Sequence, residues 1–197
     1  AVENLCLDLS DGRLSAKGVS ACVNGNEKVR FTARREILLS AGAVGSPQIL
    51  QLSGIGSQKL LEDHGVKVNL DLPGVGENLQ DHLQVRSVYK VKNTVTLNQR
   101  ANSLAGKALM GLEYFLFRTG PLTMPPSQLG AFAKSDPSQS SANIEWHVQP
   151  LSLEKFGDPL HTFNAITPSV CNLRPSSRGH VRIKSSNWHE YPSITMN

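Results

Sequence analysis

Short apolar stretches separated by turn signals dominate the first part of the chain. Strands are predicted at Val2–Asp8, Gly18–Val23 and Lys28–Thr32, because each stretch has a strand-like pattern bounded by turn residues. The segments between them, Ser10–Arg13 and Asn24–Asn26, carry the Ser, Asp, Asn and Gly residues that form tight turns. We therefore predict a small antiparallel meander at the start of the chain.

A strand, a turn of small residues and a helix are predicted next. Ile37–Leu39 are consecutive apolar residues, which predicts a buried strand in the middle of a covered parallel sheet. The small residues in Ala41–Gly45 would let another segment or a flat ligand approach the backbone. The helix is predicted to have Ser46 as N-cap, Pro47 as first residue and Gly54 as its stop. Open α/β sheets bind their ligands at such strand-to-helix turns.

A second short helix, a strand and an irregular loop follow. The helix is predicted between Ser57 and Gly65, and the strand at Val66–Leu70. The loop Leu72–His82 contains one proline and two glycines, which prevent regular structure. Its polar side chains, including Asp81 and His82, are expected to hold the loop rigid by hydrogen bonds to nearby backbone.

The pattern changes near residue 85, and we place a domain boundary there. Apolar residues at helical spacing predict a helix at Asn102–Phe117, capped by Asn102 or Ser103 and ended by Gly120 and Pro121. A strand is predicted at Val85–Val91. Strands of a second sheet are predicted at Leu129–Lys134, Asn143–Gln149, Phe163–Cys171 and His180–Lys184. The expected domains are residues 1–84 and 85–197.

Composition and charge exclude several classes of protein. With 39% hydrophobic and 18% charged residues, the 197-residue chain has the composition of an ordinary globular protein. The net charge of +4 arises from scattered basic residues, which disfavours a nucleic-acid partner. No apolar run approaches the roughly 20 residues of a membrane span. The three cysteines lack metal-binding spacing, so no metal site is predicted, and they favour a reducing compartment such as the cytoplasm without fixing it.

Four segments carry a resemblance to a known family. The stretch GAVGSPQILQLSGIG at 42–56 resembles the second signature of the glucose-methanol-choline (GMC) flavoprotein oxidoreductases. The segments at 72–82, 120–132 and 174–187 are similar to the same family. The resemblance covers nearly the whole chain but only the middle of a family member. It implies an α/β plus α+β fold, with part of an FAD-binding, Rossmann-like domain followed by part of an antiparallel-sheet substrate domain flanked by helices.

The resemblance also implies cofactor-binding residues. The family's cofactor is FAD, and a Val at the position of Val2 contacts the adenine through its backbone. Ala41, Gly42 and Ser46, in the small-residue turn and at the start of the helix, are the other candidates. Neither Gly74–Leu79 nor the Gly54 stretch has the strand, turn and helix that a phosphate-binding GxGxxG requires.

In GMC enzymes the phosphate-binding unit lies near the N-terminus and the catalytic His near the C-terminus. Neither segment matches any part of these 197 residues. We therefore expect an internal fragment, with no catalytic residue of its own. Its closest partners would be the missing N- and C-terminal segments of the same protein.

Three residues are candidates for the substrate cavity. The resemblance implies that His147 lines the cavity, as a His does at the matching strand position of choline-oxidising relatives. The alternative is a sheet His bonded to neighbouring backbone. Gln84 stands where choline oxidases carry a carboxylate, and a neutral amide cannot pair with a trimethylammonium group. Trp146 could offer a cation–π face, but a single buried Trp is more often a core residue.

The resemblance implies an FAD-dependent oxidoreductase that removes hydride from the CH–OH group of a small-molecule, primary alcohol. The electrons would pass to oxygen or to another acceptor. Two alternatives remain open: a catalytically silent fragment that binds no cofactor, and a lyase on the same scaffold in which flavin is structural. The pattern of residues identifies neither the alcohol nor the acceptor.

Overall fold

The computed structural model describes residues 1–25 and 27–197. In chain order, the strands are β1 (Val2–Asp8), β2 (Ser15–Val23), β3 (Glu27–Thr32), β4 (Ile55–Gly56), β5 (Leu70–Asp71), β6 (Glu77–Leu79), β7 (Gln84–Arg86), β8 (Tyr89–Lys90), β9 (Leu129–Ala133), β10 (Ile144–Gln149), β11 (Ala165–Asn172), β12 (Gly179–Arg182) and β13 (Ser193–Thr195). The α-helices are α1 (Gly42–Leu52), α2 (Gln58–Asp63), α3 (Leu97–Ala101) and α4 (Leu104–Phe117).

These elements form two compact units. Unit 1 comprises residues 1–81 and 176–197, and unit 2 comprises residues 82–175. The first transition lies close to the predicted boundary at 84/85, but the chain also returns to unit 1 at Ser176. The division of the protein into domains 1–84 and 85–197 stays a prediction.

The predicted meander forms the first sheet of unit 1. Strands β1, β2 and β3 pair in that order, both pairs antiparallel, with Leu5 opposite Val19 and Val19 opposite Phe31. The three predicted strands lie within these elements, so the meander is confirmed. The second predicted turn includes Asn26, which lies outside the described residues.

Helix α1 begins earlier than predicted. Its first residue is Gly42, so Ser46 is not the N-cap and Pro47 lies inside the helix. The chain can enter the helix at this point because Gly42 adopts a φ of +80°, which glycine tolerates without strain. The predicted stop is confirmed, since Gly54 has a φ of +77° and follows the helix end at Leu52.

The predicted buried strand before α1 is wrong. Residues 36–40 form no strand, and the side chain of Leu38 is 80% exposed. The reason is that no strand among the described residues pairs with this segment. A continuous apolar run predicts burial only where neighbouring strands are available to cover it.

Two further sheets complete unit 1. Strand β4 pairs with β5 in parallel, so the strand predicted at Val66–Leu70 is reduced to Leu70–Asp71. Strand β12 pairs with β6 and β13, both antiparallel. The prediction that His180–Lys184 belongs to the second-half sheet is therefore wrong. Its partner β6 lies in the loop predicted to be irregular, a long-range pairing that local pattern does not specify.

Unit 2 is built on an antiparallel sheet with the strand order β7–β11–β10–β9, and β8 also pairs with β11. The strand predicted at Val85–Val91 is split into β7 and β8. Helix α4 matches the predicted helix, and the Ser103 hydroxyl oxygen accepts a 2.9 Å hydrogen bond from the Gly106 N–H. Its apolar side chains, including Leu104 and Phe115, are exposed. None of the described helices is long and apolar enough to cross a membrane.

Candidate functional site

One edge of β1, called here its free edge, pairs with no other strand among the described residues. Farther along this edge, the Leu5 N–H donates to the Ser53 hydroxyl oxygen at 2.8 Å. The Ala1 nitrogen donates to the Cys22 carbonyl, and the Cys22 N–H donates back to the Ala1 carbonyl, each at 2.7 Å. Because groups alternate in direction along an antiparallel strand, the N–H and C=O of Val2 point away from β2. The edge of an adenine ring carries both a donor and acceptors, so this edge can bind it through the backbone of Val2.

Two cavities adjoin Val2. One has a volume of about 290 Å³ and is mainly apolar, lined in part by Val2, Ile37, Leu39, Ala41 and Ile49. The other has a volume of about 350 Å³ and adds aromatic side chains, including Trp188, Tyr191 and His189, to Val2, Gly45 and Gln48. The predicted residues Val2 and Ala41 are therefore brought together on one apolar surface.

The turn that opens α1 leaves space for a ligand. Ala41 and Gly42 are exposed, and a Cβ built on Gly42 would meet no other atom within 4 Å. The Ser46 hydroxyl oxygen accepts a 3.0 Å hydrogen bond from the Ala41 N–H, which fixes the turn. The first turn of this eleven-residue helix contains no acidic side chain, so its free N–H groups can face an anionic group.

A buried glutamine that the sequence analysis missed connects α1 to two distant segments. The side chain of Gln51 has no exposed surface. Its amide nitrogen donates to the carbonyls of Val75 at 3.1 Å and Val181 at 3.0 Å. Its amide oxygen accepts from the Ile183 N–H at 2.9 Å. One side chain thus joins the α1 helix to the loop at 72–82 and to the segment that contains β12.

The loop at 72–82 is held by contacts other than the predicted ones. Among the hydrogen bonds of the described residues, none involves the side chain of Asp81 or His82, and both residues are exposed. The prediction that these two side chains hold the loop by local hydrogen bonds is therefore wrong. The loop is held instead by the Gln51 amide and by a 2.6 Å bond from the Val181 N–H to the Gly76 carbonyl.

In unit 2, the sheet places two of the three predicted cavity residues on one face. Cys171 lies opposite Gln84 on one side and opposite Glu145 on the other. His147 follows Glu145 by two residues on β10, so Gln84, Glu145 and His147 share a face. Trp146 lies between them in sequence and therefore points to the opposite face. The structure places Gln84 and His147 on the same face, with β11 between their strands, and Trp146 on the opposite face.

His147 has a carboxylate as its neighbour rather than a backbone group. Its Nε2 lies 3.3 Å from the Glu145 Oε1, and both side chains are partly buried. A His beside a carboxylate is held in one orientation and can keep its other ring nitrogen for a ligand. The pair is therefore able to offer a hydrogen bond at a defined place on this face.

Arg86 lies on the same face and was not among the predicted residues. It is opposite Ser169, which is opposite His147. Its Nη2 donates to the Gln149 Oε1 at 3.2 Å, and its Cζ lies 4.5 Å from the centre of the Phe156 ring. The sequence could have indicated this position by strand alternation, because Arg86 follows Gln84 by two residues on the same strand and therefore shares its face.

Groups with shifted pKa values lie outside both of these sites. Hydrogen bonding by Ser185, followed by the nearby Lys184, lowers the pKa of the Glu190 carboxyl. Hydrogen bonds from Ser138 lower the pKa of Asp136. The described residues contain no group of three or more His, Cys, Asp or Glu side chains that could hold a metal ion.

Comparison with known sequences identifies the family. Residues 2–84 match the family model described as GMC oxidoreductase. The chain is 39% identical over 182 residues to an oxygen-dependent choline dehydrogenase of Photobacterium profundum, covering 92% of this chain and 32% of that protein. It is 37% identical over 175 residues to an alcohol dehydrogenase [acceptor] of Pseudomonas putida, covering 88% and 32%. The chain thus spans about a third of the length of these relatives.

Comparison with solved structures supports the fold. A formate oxidase of Aspergillus oryzae RIB40, studied for modification of its FAD, superposes with a TM-score of 0.84 at 23% identity, over all of this chain and 38% of that one. An FAD-dependent oxidoreductase of Chaetomium thermophilum gives a TM-score of 0.73 at 24% identity, over 98% and 39%. The mixed fold predicted from the sequence is thereby confirmed. The GMC oxidoreductase family is thus shown for residues 2–84.

Proposed function

We propose that these residues belong to an FAD-dependent oxidoreductase that oxidises the CH–OH group of an alcohol, most simply a primary one. The observation that carries the proposal is the open edge of β1 beside the small-residue turn, in a segment that matches the GMC family model. The names of the two relatives described above, a choline dehydrogenase and an alcohol dehydrogenase, support the type of reaction.

Unit 1 supplies the binding of the adenosine part of FAD in this proposal. The backbone of Val2 pairs with the adenine edge, and the apolar surface that includes Ala41 packs against the ring. Gly42 leaves room for close approach, and Ser46 keeps the turn in shape. When bound, FAD supplies the acceptor for hydride from the alcohol carbon.

Unit 2 supplies the positioning of the alcohol. His147, oriented by Glu145, holds the substrate hydroxyl by a hydrogen bond. Gln84 contributes a neutral amide on the same face, which provides hydrogen bonds but no negative charge. Trp146 lies on the opposite face, so it offers no cation–π surface beside His147. A quaternary ammonium substrate such as choline is therefore disfavoured.

The test is an anaerobic titration of the full-length protein that contains these residues. We expect flavin absorption in the purified protein, and bleaching of that absorption when a primary alcohol is added. A colourless protein would overturn the proposal. Oxygen consumption on re-admitting air distinguishes oxygen from another electron acceptor.

A lyase on the same scaffold is a second candidate. It would convert a substrate while the flavin stays oxidised, so it predicts product formation without bleaching. The pair of His147 with Glu145 suits acid–base chemistry as well as substrate positioning. The neutral Gln84 supplies hydrogen bonds only. Product analysis in the same anaerobic experiment separates the two reactions.

We further propose that the 197 residues alone are inactive. The segment 36–40 is unpaired and Leu38 is exposed, which leaves apolar surface open to association. Titration of the isolated chain with FAD is expected to show no stoichiometric complex. Tight binding of one FAD per chain would contradict this part of the proposal.

A further inference from the structure

Arg86 crosses the middle strand of the unit 2 sheet. It lies on β7, yet its Nη2 reaches the Gln149 side chain on β10, 3.2 Å away. Strand β11 lies between β7 and β10, so the arginine side chain passes above it. Thr167 and Ser169, on that face of β11, are almost completely buried. The guanidinium is therefore placed on the His147 face of the sheet rather than in open solvent.

The guanidinium is held but not neutralised. The Phe156 ring covers it at 4.5 Å, and the Gln149 amide oxygen accepts one of its hydrogen bonds. Among the described residues, no carboxylate lies within ion-pair distance of Arg86. The carboxylate of Glu145, on the same face, contacts His147 instead. Since an arginine has five N–H donors, most of those of Arg86 remain available.

A planar, fixed guanidinium with free donors is suited to bind a carboxylate by two parallel hydrogen bonds. The contacts with the Phe156 ring and the Gln149 amide restrain the guanidinium, which reduces the entropy lost on binding. Lys90, opposite Ala165 on the same face of β11, adds a second positive charge. The positive charges of Arg86 and Lys90 therefore favour an anionic ligand group on this face of the sheet.

We propose that Arg86 is a specificity-determining residue that binds a carboxylate of the substrate, so the alcohol is a hydroxy acid. This inference rests on the proposed function. Gln149, which the guanidinium contacts, is two residues from His147 on one strand face. Their Cα atoms are therefore about 6.7 Å apart. An alcohol group at His147 and a carboxylate at Arg86 can belong to one short hydroxy acid.

The test compares two primary alcohols that differ only in one terminal group, 4-hydroxybutyrate and its neutral amide 4-hydroxybutyramide. The full-length flavoprotein is assayed as wild type and as Arg86→Met, which keeps an unbranched side chain against Phe156 but removes the charge. We expect kcat/KM for the acid to fall about 10- to 100-fold, the range for a lost charged hydrogen bond, while the value for the amide stays nearly unchanged.

Two further variants complete the experiment. Arg86→Lys keeps the charge but not the planar fork, so it should recover only part of the loss for the acid. Arg100→Met removes an exposed arginine of α3 and should leave kcat/KM unchanged for both substrates. Calorimetric binding of 4-hydroxybutyrate to the same proteins, without turnover, should weaken in Arg86→Met alone.

The outcomes separate this inference from the proposed function. Equal losses for acid and amide in Arg86→Met, or no preference for the acid in the wild type, would overturn the role of Arg86 while leaving alcohol oxidation in place. Failure of every alcohol to bleach the flavin would instead contradict the proposed function. That reading of equal losses applies when Arg86→Met binds as much flavin as the wild type. If its flavin content is lower, folding is impaired and Arg86→Lys decides: a loss for the acid alone supports the role of Arg86, and equal losses for acid and amide overturn it.

Discussion

At the residue scale, Gly76 and Gln51 determine how the loop at 72–82 is held in unit 1. Gly76 has a φ of +84°, and a Cβ at this position would overlap the Val181 carbonyl oxygen and the Gln51 amide. Gly76 acts through its backbone conformation, and the Gln51 side-chain amide acts by bonding backbone groups of other segments. A search of the sequence for reactive side chains therefore does not find their role in holding the loop.

Gly76→Ala is expected to destabilise unit 1 by about 2 kcal/mol or more, because it combines left-handed backbone strain with a backbone clash. Gly74→Ala is the matched control, since a Cβ at Gly74 meets nothing within 4 Å. The free energy of unfolding is measured in urea by Trp188 fluorescence, in a Trp146→Phe background so that only unit 1 is observed. Equal stability of the two alanine variants would contradict this account of the loop.

Gln51→Leu is expected to leave two carbonyls and one N–H without partners in a buried place, at a cost of about 2–5 kcal/mol in unfolding free energy. Gln58→Leu provides the control. Gln58 is exposed and its side chain bonds only Glu62, four residues away, so its loss costs about 0.5 kcal/mol or less. The Gln51 network has no role in stability if urea midpoints of the two variants coincide.

Glu190 predicts a pH dependence. Its folded pKa is lowered by Ser185 and then by Lys184, so the unfolded state binds a proton more readily than the folded state. The stabilisation is therefore present above the unfolded pKa and is lost as pH falls through the folded pKa. In a plot of unfolding free energy against pH, Glu190→Gln should reduce the slope at acid pH and leave the slope near pH 7 to 8 unchanged. An unchanged slope below about pH 4.5, near the ordinary pKa of Glu, would contradict the assignment.

At the element scale, the sequence pattern predicted correctly those helices and strands that are specified by their own residues. The meander strands and α4 follow from alternation, helical spacing and the capping residue Ser103. Helix α1 was misplaced because Ser46–Pro47 resembles a helix start, whereas Gly42 lets the helix begin earlier. The pairing of β12 with β6 depends on contacts far apart in sequence, and local pattern carries no information about them.

Ser103→Ala tests the cap of α4. The Ser103 hydroxyl accepts the Gly106 N–H, so its loss should destabilise unit 2 by about 1 kcal/mol. Ser57 occupies the same position in α2 but makes no capping bond from its side chain. Ser57→Ala should therefore have little effect on unit 1. Urea unfolding, followed by Trp146 for unit 2 and Trp188 for unit 1, measures both, and a larger effect at Ser57 would refute the comparison.

At the scale of the whole molecule, the candidate sites stay predictions, and the structure shows which elements carry their residues. The resemblance indicated Val2, His147 and Gln84, and the structure supplies the strand edge and the sheet face on which they lie. It also indicated Trp146, which strand alternation places on the opposite face. Arg86 was not predicted as a site residue because its placement depends on contacts with Gln149 and Phe156, which form only in the folded chain.

The central claim is that the free edge of β1 and the turn at Ala41–Ser46 hold the adenosine part of FAD. Amide hydrogen exchange of the full-length protein, with and without FAD, tests it most directly. The account predicts that FAD slows exchange at Val2 and at residues 42–45 by at least about tenfold, while the amides of β3 serve as an unchanged internal control. Stoichiometric flavin binding that leaves exchange at Val2 and at 42–45 unaltered would contradict it.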